Sequence, residues 1–170
     1  HRVIGIDYEP EVVDFVKRAV PDLDVRVGDV RALPVEDGSI GCYLSLGVIE
    51  HFVDGPDQVL EEARRVLHPR GVALISVPYL NPSRARHLRE LEDGHAGDPA
   101  LTFHQYYFSR SELTAALGRA GFSCERFFGY GVEAYLTREQ PTFSRFWRSR
   151  WLREPARRPL RRFFRAAPAP

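Results

Sequence analysis

A chain of 170 residues can enclose one hydrophobic core, and 44% hydrophobic with 28% charged residues is the profile of a globular domain, not of a disordered chain. The apolar runs are too short to span a bilayer as a helix, and two cysteines without a CxxC exclude a disulfide framework. The net charge of +1 conceals an asymmetry: residues 138–170 carry ten arginines against Glu139 and Glu154, or +8, which leaves −7 for the rest.

The opening, His1-Arg2-Val3-Ile4, is no signal peptide, and with no methionine anywhere the expectation is a chain that has lost its beginning. Residues 2–7 read as a short buried strand of β-formers. Pro10 suits a first helical turn, and Val12, Val13, Val16, Ala19 and Val20 recur at helical spacing until Pro21-Asp22 stops them. Val25-Arg26-Val27 is a second strand, ending in Gly28-Asp29, and a loop with Pro34 and Asp37-Gly38 follows. Residues 40–46 read as a strand buried on both faces, with Cys42 buried within it. Asp54-Gly55-Pro56 opens a helix with the stripe Val59, Leu60, Ala63, Val66 and Leu67, ended by Gly71. Residues 72–77 make a fourth strand.

This alternation predicts an α/β protein with a parallel sheet and crossover helices. Residues 79–108 read as irregular. Ser109 and Glu112 fit a capping box for a helix with Leu113, Leu117 and Ala120 on its buried side. Residues 122–128 and 132–136 read as an antiparallel hairpin around Gly129-Tyr130-Gly131, with Cys124 expected to be buried. Both cysteines are expected to be reduced thiols in a cytoplasmic protein.

In an open parallel sheet, ligands bind beyond the carboxyl ends of the strands. Asp7 ends the first strand, where a carboxylate accepts both hydroxyl hydrogens of a ribose; the rival reading is a helix cap. Asp29 ends the second, where it can hold an adenine amine while Val30 packs on the ring; its rival is a turn residue. Gly47 ends the third, after Ser45 and Leu46, and admits a ligand close to the backbone. His51, His87, His95 and His104 have no compact ligand spacing, so no metal is expected.

The segments VIGIDYEPEVVDFV, VRVGDVRALPVEDGSIGCYLSLGVIEHF, EEARRVLHPRGVALISVPY and FSRSELTAALGRAGF resemble, in order, the motifs of class I S-adenosylmethionine-dependent methyltransferases, in particular the type 11 small-molecule family. The resemblance covers residues 2–136 and implies a Rossmann-like, mostly parallel sheet with the C-terminal antiparallel hairpin. It implies S-adenosyl-L-methionine as cofactor, bound by Asp7 with Tyr8 beside the adenine, by Asp29 and Val30, and by Ser45, Leu46 and Gly47 along the methionine part. It places Glu50 and His51 at the mouth of the site near the transferred methyl, with His51 as a catalytic base; the rival is an ordinary loop histidine.

Such enzymes begin with a strand and a glycine-rich turn that wraps the methionine half of the cofactor. This first strand and the first helix are missing here. The strand lies mid-sheet, between those ending at Asp7 and Leu46, so its neighbours would each keep an unpaired edge, at about 1–3 kcal/mol per buried unpaired group. A truncated piece of a longer enzyme is therefore expected.

Residues 79–108 occupy the place of the family's substrate-facing insertion, with Tyr79, His104 and Tyr107 as candidate substrate contacts, and Arg84, Arg86, His87 and Tyr106 beside them. A methyltransferase-like domain over 1–137 and a basic Arg/aromatic tail over 138–170 are expected. Phe146, Trp147, Trp151, Phe163 and Phe164 between the tail's arginines allow peripheral membrane contact, while no nucleic acid is expected. The leading function is methyl transfer to a small-molecule substrate. The alternatives are a nicotinamide-dependent oxidoreductase, which also has an acid at the end of its second strand, and a non-catalytic interaction module built on the tail.

Overall fold

The computed structural model describes residues 2–95 and 103–130. The chain forms two compact units, residues 1–123 and 124–170, so most of the second lies outside the described residues. The first contains β1 (Ile4–Asp7), α1 (Pro10–Ala19), β2 (Asp24–Val27), β3 (Ile40–Leu46), a short 3-10 turn (Ile49–His51), α2 (Asp57–Val66), β4 (Leu67–Ser76), α3 (Pro82–His95) and α4 (Arg110–Arg119).

All described strand pairing is parallel. β1 pairs with β2 from Ile4↔Asp24 to Asp7↔Val27, across the α1 crossover, and β3 pairs with β4 from Cys42↔Val72 to Leu46↔Ser76, across α2. These are two separate two-stranded sheets: among the described residues β1 and β3 do not pair with each other. The edges expected on either side of a central strand have not closed by joining.

α1 starts at Pro10, with Glu11 in its first turn and Lys17 and Arg18 in its last, in accord with the helix dipole. Only Val13 of the expected stripe is buried; Val12 and Val20 are exposed, as is Phe15. The physical reason is the width of the surface beneath, since among the described residues α1 packs chiefly on the two short strands β1 and β2. The main core lies instead under α2, whose Val59, Leu60, Ala63 and Val66 are at most 1% exposed and meet Ile49 and Leu67 as fellow core residues. α4 packs against α2 through its Leu113–Ala116–Leu117 side, and Arg119 Nη2 donates to Asp57 Oδ1 at 2.7 Å.

Several boundaries differ from the sequence reading. α2 ends at Val66 and Leu67 already belongs to β4, so Gly71 does not terminate a helix. The chain bulges between Leu67 and Val72, and a Cβ on Gly71 would stand 2.8 Å from Leu67 Cδ1 and 3.0 Å from the His68 carbonyl oxygen. Glycine is needed for that close approach. β3 is buried on one face only: Ser45 is inside, while Leu44 and Leu46 are 63% and 61% exposed. On β4, Leu74 in register with Leu44 and Val72 in register with Cys42 extend the same open apolar face. Cys42 lies there too and is exposed, as is Cys124, contrary to the expected burial of both.

The supposedly irregular stretch 79–108 contains α3, started by Pro82 and by Asn81 Oδ1, which accepts the Arg84 amide at 2.9 Å. Ser109 caps α4 as expected: its hydroxyl accepts the Glu112 amide and Glu112 Oε2 accepts the Ser109 amide. No strand is described over residues 122–130, and the second arm of the expected hairpin, 132–136, lies outside the described residues together with the tail 138–170. Among the described residues no helix is long and apolar enough to cross a membrane.

Candidate functional site

The carboxyl ends of β1 and β2 meet in one place. Asp7 is in register with Val27, and the Gly28 amide donates to the Asp7 carbonyl at 2.9 Å, which brings Asp29 beside the end of β1. A Cβ on Gly28 would lie 3.1 Å from Ile6 Cγ2, so the two strand ends approach as closely as their side chains allow. Asp7 Oδ1 accepts the Glu9 amide at 2.9 Å, a local turn that leads into α1. Asp7 does not cap α1, whose N-cap is Glu9; one Asp7 oxygen shapes the turn before the helix and the other is without a hydrogen bond among the described residues. Tyr8 beside it is 74% exposed, and its phenol is pushed up by the hydrogen bond and charge of Glu9.

Asp29 is more occupied. Its carboxylate accepts the Arg31 amide at 2.8 Å, and Arg31 Nε and Nη2 lie at 3.0 Å and 2.7 Å from its two oxygens. Arg31 thereby holds the Asp29 carboxyl below the usual carboxylate range. The Asp29 carbonyl accepts the Ala32 amide, which completes a turn, and the Arg31 guanidinium stacks over Phe52, 5.2 Å from the ring centre. Val30 is half-buried in the same turn. Sequence reasoning gave no role to Arg31.

At the end of β3, Gly47 has φ of +72°, its amide donates to the Ser76 carbonyl, and Glu50 Oε1 is 3.5 Å from where its Cβ would be. Leu46 is exposed, whereas Ser45 and Glu50 are 4% and 3% exposed. Glu50 is therefore not at the mouth of the site, as expected from sequence, but under it. Its carboxyl is pushed up by burial. Ser45 Oγ and Glu50 Oε2 are buried without a hydrogen-bond partner. The Tyr43 phenol, two residues back on β3, is raised by burial and by Glu62 and drawn down by the Ser45 hydroxyl, though the two make no hydrogen bond of ordinary geometry.

His51 is exposed, and its Nδ1 lies 3.1 Å from the His104 carbonyl oxygen. A carbonyl only accepts, so Nδ1 carries the proton and the neutral ring keeps Nε2 as acceptor. The two imidazoles meet edge to face, centroids 5.9 Å apart. The Tyr106 amide donates to the Glu50 carbonyl at 2.8 Å and its hydroxyl to the Val53 carbonyl at 2.7 Å. Residues 103–108 are thus clamped across the turn that carries His51. The Tyr79–Phe108 bridge fixes this segment to the end of β4. Arg84 Nη1 donates to the Tyr79 carbonyl at 2.8 Å, and its guanidinium lies 5.1 Å from the Tyr107 ring centre. The fold therefore brings His104 to His51, and Tyr79 to Tyr107 through Arg84.

A family model described as a methyltransferase domain matches residues 1–75. A Mycolicibacterium smegmatis protein that bears the name of an S-adenosylmethionine-dependent methyltransferase is 35% identical over 131 residues, 75% of this chain and 46% of the relative. A Mycobacterium tuberculosis protein named for the same activity is 29% identical over 124 residues, 71% of this chain and 40% of the relative. Among solved structures, a chain of the complex between the Haloferax volcanii Trm112 methyltransferase activator and a methyltransferase matches with TM-score 0.58 and 27% identity, over 75% of this chain and 53% of that one. A Bacillus halodurans structure matches with TM-score 0.60 over 99% of this chain and 71% of its own, at 17% identity, which speaks to the fold. Residues 1–75 match the methyltransferase-domain family, and the sequence likeness over three quarters of the chain supports a class I S-adenosylmethionine-dependent methyltransferase. The chain spans less than half the length of these two curated relatives. These likenesses favour methyl transfer over the nicotinamide-dependent and non-catalytic readings.

The residues present fit the family's cofactor, S-adenosylmethionine. Two buried polar atoms, Ser45 Oγ and Glu50 Oε2, lack partners close to a glycine whose missing Cβ opens the backbone. A buried polar group without a partner costs about 1–3 kcal/mol, and a ligand with an ammonium and a carboxylate relieves that cost. Asp7 has a second carboxylate oxygen without a hydrogen bond among the described residues, an acceptor of the kind a ribose hydroxyl needs. The carboxylate of Asp29 takes four hydrogen bonds from Arg31, two on each oxygen, so an adenine amine there would share acceptor oxygens with the Arg31 guanidinium.

Proposed function

We propose that the protein containing this chain transfers the methyl group of S-adenosylmethionine to a small-molecule acceptor. When bound, the cofactor supplies a methyl on a sulfonium that leaves by in-line displacement, so the protein's part is alignment and proton removal. Asp7 holds the ribose hydroxyls, Tyr8 lies by the adenine, Asp29 and Val30 hold the adenine, and Ser45, Leu46 and Gly47 line the methionine part. His51 takes the acceptor's proton on Nε2. The observation that carries this reading is the His51 Nδ1 contact to the His104 carbonyl, which fixes the tautomer a base needs. Tyr79, His104 and Tyr107 contact the acceptor.

The reading includes a further strand with a glycine-rich turn between β1 and β3. Its support is the separation of the two sheets, while the exposed apolar Leu44 and Leu46 on one face of β3 suit cover by a helix. It also takes 1–137 as the catalytic domain and 138–170 as a basic appendage for peripheral membrane contact, of cytoplasmic location. The test is a screen of small hydroxyl, amine and carbon acceptors with methyl-labelled S-adenosylmethionine and the full-length protein. Label transferred to an acceptor supports the reading. Nicotinamide-dependent turnover without any methyl transfer contradicts it.

A further inference from the structure

The loop between β2 and β3 carries Asp29 and Val30, and most of its hydrogen bonds to other elements are made with α2. Arg65 uses every donor of its guanidinium there. Nε donates to Glu62 Oε2 at 2.7 Å and Nη2 to Glu62 Oε1 at 2.6 Å. Nη2 also donates to the Leu33 carbonyl at 3.0 Å, and Nη1 to the Val35 carbonyl at 3.0 Å and to Asp37. A guanidinium has five N–H donors in a fixed fork, and here all five are engaged. Glu62 Oε1 accepts the Leu33 amide at 2.5 Å, and the Arg65 carbonyl accepts the Gly38 amide at 2.9 Å. The Glu62 side chain is 12% exposed and the Arg65 side chain 34%.

We propose that Arg65, oriented by Glu62, is a positioning residue that sets the loop bearing Asp29 and Val30 and so determines recognition of the adenine amine. The inference rests on the adenine role proposed for Asp29. The candidate cofactor site is divided between two sheets that share no ladder: Asp7 and Asp29 follow β1 and β2, while Ser45 and Gly47 belong to β3 and its turn. A ligand that spans both feels any shift between them. The Arg65 fork joins α2, which crosses from β3 to β4, to backbone carbonyls four and six residues after Asp29. Nearer Asp29, the Ala32 amide closes the turn on the Asp29 carbonyl, and Pro34 packs where a Gly28 side chain would be. Displacement at Leu33 therefore reaches Asp29 through one short turn. The Glu62 carboxyl is held below its ordinary range by Arg65, as a pair committed to this contact must be.

Arg65→Lys keeps the charge but offers three donors on a single nitrogen, and Glu62→Gln keeps the oxygen that receives the Leu33 amide while weakening the grip on Arg65. The experiment measures dissociation constants of S-adenosylhomocysteine and S-inosylhomocysteine, whose exocyclic amine is replaced by oxygen, for the full-length protein and these variants. Thermal unfolding is followed alongside, so that only folded protein is compared. The expected result is that the wild type prefers the adenosine ligand, that Asp29→Ala removes the preference, and that Arg65→Lys and Glu62→Gln each reduce it by ~3–10-fold. A purely stabilising role would lower the unfolding temperature and leave the preference intact, which overturns the proposal. A wild type without preference overturns the adenine role of Asp29 and this inference with it. A preference that Asp29→Ala removes but both α2 variants keep overturns the inference alone.

Discussion

His51 shows how one backbone contact turns an ordinary loop histidine into a candidate base. With Nδ1 donating to the His104 carbonyl, Nε2 is the only ring atom able to take a proton. His51→Gln should lower turnover by about 10²–10⁴-fold and leave the dissociation constant of S-adenosylhomocysteine within about twofold. Steady-state rates alongside calorimetric binding separate the two; a parallel loss of both would place His51 in cofactor binding. Glu50 makes a prediction of a different kind. Burial raises its pKa from the ordinary 4.5, so the folded chain retains a proton that the unfolded chain releases. Its contribution to stability is complete below 4.5 and is lost as pH rises through the raised value. Glu50→Gln cannot ionise, so its unfolding temperature relative to wild type should climb as pH rises from about 4 to 7. A difference that stays flat with pH would contradict this.

At the scale of elements, the outcome of sequence reading followed from how local each signal was. The capping box at Ser109 and Glu112 is complete within four residues and was legible. Ser109→Ala should cost about 1 kcal/mol and lower the unfolding temperature by ~2–4 °C. Thermal denaturation checks this, and an unchanged temperature would mean that α4 is held by its contact with α2 alone. The start of α3 is equally local, with Asn81 as cap and Pro82 in the first turn, but the richness of the whole stretch 79–108 in His, Arg and Tyr suggests a loop. Gly71 misled in the opposite direction. A glycine after a helical stripe suggests a helix end, yet here it is required by the approach of Leu67 across a bulge in β4, which no local pattern reveals. The one-sided burial of β3 was hidden for a similar reason: a continuous apolar run does not tell which of its faces another element covers.

For the molecule as a whole, the order of strands and the residues at their carboxyl ends were readable, because parallel strands with helical crossovers place those ends together. The pairing of β1 with β2 and the Gly28 amide on the Asp7 carbonyl put Asp29 just beyond the carboxyl end of β1. The braces were not readable. Arg65 reaches Leu33 and Val35 from another element, and Tyr106 reaches Glu50 across more than fifty residues, so their signal exists only in three dimensions. The separation of the two sheets has an energetic consequence: a ligand that binds to both adds its binding energy to the stability of the folded chain.

The most direct test of the account is calorimetric titration of S-adenosylhomocysteine into the folded full-length protein and its Asp7→Ala variant. The account predicts binding near micromolar strength, or about −8 kcal/mol, weakened by ~10–100-fold when the carboxylate that accepts the ribose hydroxyls is removed. Absence of binding to the folded protein, or equal affinity of the variant, would contradict it.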